Sequence, residues 1–143
     1  DRPLNKRGNR DAPFMAKLLK GKGANPGLIV SSSANRAQTT ALYFAQEFDR
    51  APTDVLIKAQ IYEAFPEQVM ELVHALDDQY AEIFIFGHNP AFTSLVNQFS
   101  EDYLSNLPTC GIAKVVAPVA HWQDFKAPAA QLKVLHFPKQ YFT

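Results

Sequence analysis

The sequence predicts an α/β fold, a three-layer α/β/α sandwich around a mostly parallel central sheet. Three observations predict it. Short apolar runs alternate with helix-like segments along the chain. Ile83-Phe84-Ile85-Phe86 is a continuous apolar run, the pattern of a strand buried on both faces. That run ends in Gly87-His88-Asn89-Pro90, where Gly87 permits a sharp turn and Pro90 suits the first position of a helix.

The elements follow in order. Asn5 is placed to cap a helix from about Lys6 to Lys20, with Phe14, Met15, Leu18 and Leu19 inward. Gly21, Gly23, Pro26 and Gly27 break it. Leu28-Ile29-Val30 reads as a strand, and Ser31, Ser32 and Ser33 lead into a helix from Ala34 to Phe48. Ala37, Ala41, Ala45 and Phe48 line one face of that helix, and the small residues permit close packing on a sheet. Val55-Leu56-Ile57 is a third, weaker strand. Val69, Leu72, Val73 and Leu76 form an amphipathic stripe on a helix near Pro66 to Leu76. A further helix runs from Pro90 to about Phe99. Ile112–Ala117 and Leu132–Phe137 read as two final strands, antiparallel to each other, because their connection is too short for a crossover helix.

Composition narrows the function. The chain has 143 residues, 47% hydrophobic and 20% charged, which suits one globular domain rather than a disordered one. The formal net charge of +0 argues against a general nucleic-acid binder. No apolar stretch is long enough to cross a bilayer, and the single Cys110 excludes an internal disulfide, so a cytoplasmic setting is the expectation. Cations crowd the first segment (Arg2, Lys6, Arg7, Arg10, Lys17, Lys20, Lys22), opposed by Asp1 and Asp11. A solvated helix face accounts for most of them, and one or two could attract an anionic substrate.

Two strand-to-helix junctions can carry chemistry. One is Ser32-Ser33-Ala34-Asn35-Arg36, the other Gly87–Pro90. In a parallel sheet both open at the carboxyl ends of the strands, where α/β proteins bind ligands. Arg36 falls in the first turn of its helix, where a planar guanidinium can grip two oxygens of an anion. His88 stands at the start of the other helix. Together they suggest an electrophilic clamp on a phosphoryl group. Glu63, in the loop Ile61-Tyr62-Glu63-Ala64, is the candidate general acid. No His/Cys/Asp cluster has metal-ligand spacing, so neither a metal nor another cofactor is expected.

These blocks resemble a known family. Ser32-Ser33-Ala34-Asn35-Arg36-Ala37-Gln38-Thr39-Thr40-Ala41 is similar to the signature around the second arginine of the histidine phosphatase superfamily. Gly87-His88-Asn89-Pro90 resembles that superfamily's second histidine block. Asp1-Arg2-Pro3-Leu4-Asn5-Lys6-Arg7-Gly8, Pro108-Thr109-Cys110-Gly111-Ile112-Ala113, Trp122 and Pro138-Lys139 resemble the SixA-type phosphohistidine phosphatase branch.

The resemblance implies a phosphoglycerate mutase-like fold and a phosphatase working through a covalent phosphohistidine. It makes Arg36 the second arginine and His88 the second histidine, both binding phosphate, with Arg2 adding a further phosphate contact. The implied substrate is a phosphohistidine-bearing signalling protein such as a phosphotransfer domain, or a small phosphoester. The family's nucleophile lies in an Arg-His-Gly or Arg-His-Ala triplet, and no such triplet occurs here. His74, expected on a helix surface, His121 in a connection and His136 at the end of the last strand are poor substitutes. The expectation is a single domain over residues 1–143 lacking its first strand, with the nucleophile upstream of residue 1. Two other readings remain open: a phospho-ligand binding module or inactive phosphatase-like domain, and a non-enzymatic α/β interaction domain.

Overall fold

The computed structural model describes residues 1–142. They divide into two compact units: Asp1–Tyr62 with Tyr80–Gly87, and Glu63–Gln79 with His88 to the end of the described chain.

The first unit begins with α1 (Lys6–Gly21). Asn5 is its N-cap, accepting from the Gly8 N–H at 2.8 Å. A Cβ at Gly8 would meet the Leu4 side chain, which would have to move aside. The buried face of α1 is Gly8, Asp11, Ala12, Met15 and Ala16. This corrects the expected face: Phe14 is exposed, and Leu18 and Leu19 are only half-buried. Helix α1 packs chiefly on a second helix, and small residues set that closer contact.

Strand β1 (Leu28–Ser31) is the centre of a parallel sheet of order β2-β1-β3, with β2 (Val55–Ile57) and β3 (Ile83–Phe86) on either side. Ile29 pairs with both Val55 and Phe84, so these three side chains share a face. Helix α2 (Asn35–Glu47) covers that face, setting Ala41 and Ala45 against Ile29 and Val55, with Phe84 and Phe86 packed at the border. The expected stripe Ala37, Ala41, Ala45 and Phe48 is buried. Phe44 joins it, its ring edge-on to Phe84 and Phe86 at centroid distances of 6.0 and 5.0 Å.

The burial of β3 differs from expectation, for all four of its residues are half-buried. Among the described residues β3 pairs with β1 alone, which makes it an edge of this sheet. A sequence run shows apolar character but not how many neighbours a strand acquires.

The second unit contains α3 (Pro66–His74), α4 (Ala91–Gln98) and an antiparallel pair, β4 (Ile112–Val116) with β5 (Gln131–His136). Val69 and Val73 form the buried part of the α3 stripe. Pro90 is the N-cap of α4, not its first residue. The antiparallel pairing of the last two strands is as expected. Their connection carries a single 3₁₀ turn, Trp122–Asp124, and the Trp122 ring lies 5.3 Å from that of Phe125, tilted by 43°.

Candidate functional site

In the first unit, β1 and β3 run parallel side by side, and Ser31 pairs with Phe86. The Ser32 N–H donates to Phe86 O at 2.9 Å, extending the ladder to the point where both chains leave the sheet. The Ser32 and Gly87 junctions therefore open at one edge, as the sequence requires of a ligand site. Ser31 and Ser32 are buried. Ser32 Oγ accepts from the Ala34 N–H at 3.1 Å, and Gln38 Nε2 donates to Ser33 O at 2.7 Å. These bonds satisfy the turn locally and fix where α2 starts.

Arg36 is the second residue of α2, half-buried in the first turn. Arg2 is exposed in the segment before α1. Several neighbouring cations have acidic partners. Arg10 Nη2 lies 2.7 Å from the buried Asp11 carboxylate, Arg7 Nε lies 3.6 Å from it, and Lys20 Nζ lies 3.9 Å from both Glu47 and Asp49. The basic excess of this segment is thus partly structural.

In the second unit, His88 is half-buried and its carbonyl accepts from the Phe92 N–H at 3.0 Å. Sequence reasoning missed how much Asn89 does beside it. Asn89 Oδ1 accepts from the Thr93 N–H and hydroxyl, and Asn89 Nδ2 donates to Leu107 O at 2.7 Å. The Leu107 N–H in turn donates to Thr93 Oγ1 at 3.0 Å. A side-chain cap four residues before a threonine is the signal that could have shown it. Glu63 is exposed with φ of 54°, a left-handed conformation that costs a non-glycine residue energy and concentrates at functional positions.

The other histidines have partners of their own. His74 is not a surface residue: it is half-buried at the end of α3, with Nε2 3.0 Å from Phe125 O. The strap between β4 and β5 folds back onto α3, which a helix periodicity cannot foretell. His136 is buried, with Nδ1 3.2 Å from the Tyr141 hydroxyl. His121 is exposed, with Nδ1 2.8 Å from Asp78 Oδ2, and the Trp122 N–H donates to Asp78 Oδ1 at 2.8 Å.

The Asp78–His121 pair makes stability depend on pH. The Trp122 N–H, then His121, hold the Asp78 carboxyl below its ordinary 3.8, and the hydrogen bond to Asp78 holds His121 above its ordinary 6.5. The His121 contribution is full below 6.5 and is lost as pH rises through the raised value. The Asp78 contribution is full above 3.8 and is lost as pH falls through the lowered value. Asp78→Asn is therefore expected to lower the melting temperature most between pH 3.8 and 6.5, with a smaller difference on either side. A difference constant across pH would contradict this.

Among the described residues no group of three or more His, Cys, Asp or Glu could hold a metal ion, and no helix is long and apolar enough to cross a membrane.

A parallel α/β sheet with arginine and histidine blocks at its strand ends defines the class: the chain has the fold of the histidine phosphatase superfamily. Within that superfamily its likeness is to the SixA-type branch. A SixA structure from Agrobacterium tumefaciens matches 96% of this chain and 84% of its own, at 26% identity and a TM-score of 0.79. The protein histidine phosphatase SixA complexed with tungstate matches 98% of this chain and 86% of its own, at 19% identity and a TM-score of 0.81, a likeness of fold. The uncharacterized protein Rv1276c of Mycobacterium tuberculosis is 27% identical over 149 residues, spanning 97% of this chain and 90% of that protein. No family model matches the chain.

Proposed function

We propose that this protein is a phosphohistidine phosphatase of the SixA type, removing the phosphoryl group from a histidine of a signalling protein in the cytoplasm. The observation that carries the reading is the pair of adjacent, parallel strand ends in the first unit. One leads into the helix bearing Arg36 in its first turn, and the other leads into Gly87-His88-Asn89-Pro90.

In this reading Arg36, Arg2 and His88 compensate charge on the phosphoryl oxygens, which is most of what phosphoryl transfer asks of a protein. A neutral imidazole attacks phosphorus and forms a P–N bond as the substrate's P–N bond breaks. The departing imidazole takes a proton from Glu63, and water then hydrolyses the enzyme's phosphohistidine. None of the four histidines lies in the superfamily's nucleophile triplet, so the reading requires a nucleophilic histidine outside these 143 residues.

One alternative is a module in which Arg36 and His88 bind a phosphorylated ligand without turnover. Small phosphomonoesters are the other candidate substrates. Phosphate release by the full-length protein from a phosphohistidine-bearing phosphotransfer domain, compared with release from small phosphomonoesters, separates the three. No release from either, with phosphate still bound, sinks the enzyme. Glu63→Gln is expected to lower turnover of the unactivated protein substrate about a hundredfold while sparing a substrate with a good leaving group. Equal turnover on the unactivated substrate removes Glu63 from the role.

A further inference from the structure

We propose that Asp1 is a positioning residue, whose carboxylate ties the Arg2 segment to the first turn of α2 and so sets Arg2 and Arg36 on one anion. The inference rests on the phosphate-binding roles given to those arginines above.

Asp1 Oδ2 accepts from the Asn35 N–H at 2.8 Å, across 34 positions of chain. Asn35 is the first residue of α2, and its N-cap, Ala34, has no side chain able to accept. The helix therefore takes its cap from a distant residue. Each partner precedes a candidate phosphate ligand by one position: Asp1 precedes Arg2, and Asn35 precedes Arg36. One hydrogen bond thus fixes the backbone of both arginines at once.

A second tie makes this a bracket rather than a single contact. The Tyr43 hydroxyl, two turns along α2, donates to Asn9 Oδ1 at 2.8 Å. Asn9 Nδ2 donates to Leu4 O at 2.9 Å and to Asn5 O at 3.0 Å. The segment from Asp1 to Asn9 is thereby pinned to α2 at both ends, with Arg2 between the pins.

The proposal opposes the simple charge argument, which makes it testable. A carboxylate beside two arginines lowers their attraction for an anion and occupies a helix N-terminus that could bind one. On charge alone its removal strengthens anion binding. As a positioning group, its removal weakens binding, because the arginines lose their common geometry.

The test is calorimetric titration of the full-length protein with tungstate. Asp1→Ala is expected to weaken binding about tenfold, the size of one charge-assisted hydrogen bond. Asp1→Asn, which keeps an acceptor and drops the charge, is expected to stay within about threefold of the parent. Asn35→Pro removes the donor while leaving the Asp1 charge in place. Proline is favoured at a first helical position, and Ala34 is already extended (φ −63°, ψ 140°), so this variant keeps its fold. It is expected to match Asp1→Ala, and the double variant to add little. Equal or tighter binding by Asp1→Ala, or unchanged binding by Asn35→Pro, overturns the inference. Absence of tungstate binding by the parent protein overturns the phosphate site itself, a separate result.

Discussion

Arg36→Ala is expected to lower phosphatase turnover about a thousandfold, the scale on which an arginine stabilises phosphoryl-transfer charge. The side chain belongs to the first turn of α2, beside backbone N–H groups that carry partial positive charge. A cation there gains nothing from the helix. Its removal is therefore expected to lower activity and phosphate affinity far more than it lowers the melting temperature. That combination separates a ligand-binding arginine from a structural one, which would lose stability first. Arg36→Lys is expected to recover only part of the loss, because an ammonium cannot reproduce the two-pronged grip. Steady-state kinetics with phosphate-inhibition constants for both variants check this, and parental values for Arg36→Ala would remove Arg36 from the site.

The largest expected loss of stability comes from Phe44→Ala, about 3–5 kcal/mol. Phe44 is 3% exposed and stands edge-on to both Phe84 and Phe86, joining α2 to β3. Truncation leaves a cavity where α2 meets the sheet. Phe48, which packs on Phe84 at 5.4 Å, has Phe84 as its own anchor and cannot fill the gap. Phe44→Leu keeps most of the volume and is expected to cost less than half as much. Urea titration measures both. A shifted midpoint with unchanged slope is the signature of lost packing, and a loss under about 1 kcal/mol would show that the ring is dispensable.

Much of this architecture was legible in the residues. The Asn5 cap, the alanine stripe of α2, the α3 stripe and the antiparallel final strands appear in the structure as read. Each rests on a local rule: a cap speaks through residues three apart, and a stripe through a period of about 3.6. The inward face of α1 was misread because its partner is another helix, which selects small residues over Phe14. The His74 setting was misread because its partner, Phe125, lies 51 positions away.

The two junctions Ser32–Arg36 and Gly87–Pro90 were likewise visible as sequence, since glycine, proline and serine punctuate the chain where strands end. What holds them was not. Asn89 bonded to Leu107, Asp1 bonded to Asn35 and Asp78 bridging His121 and Trp122 leave no periodic trace, and neither does the left-handed backbone at Glu63. By itself the sequence determined the alternation of strand and helix, and with it the fold class, because periodic burial is written residue by residue. Only the tertiary structure decided which polar groups meet, because a hydrogen bond between distant residues exists only once the elements carrying them are packed.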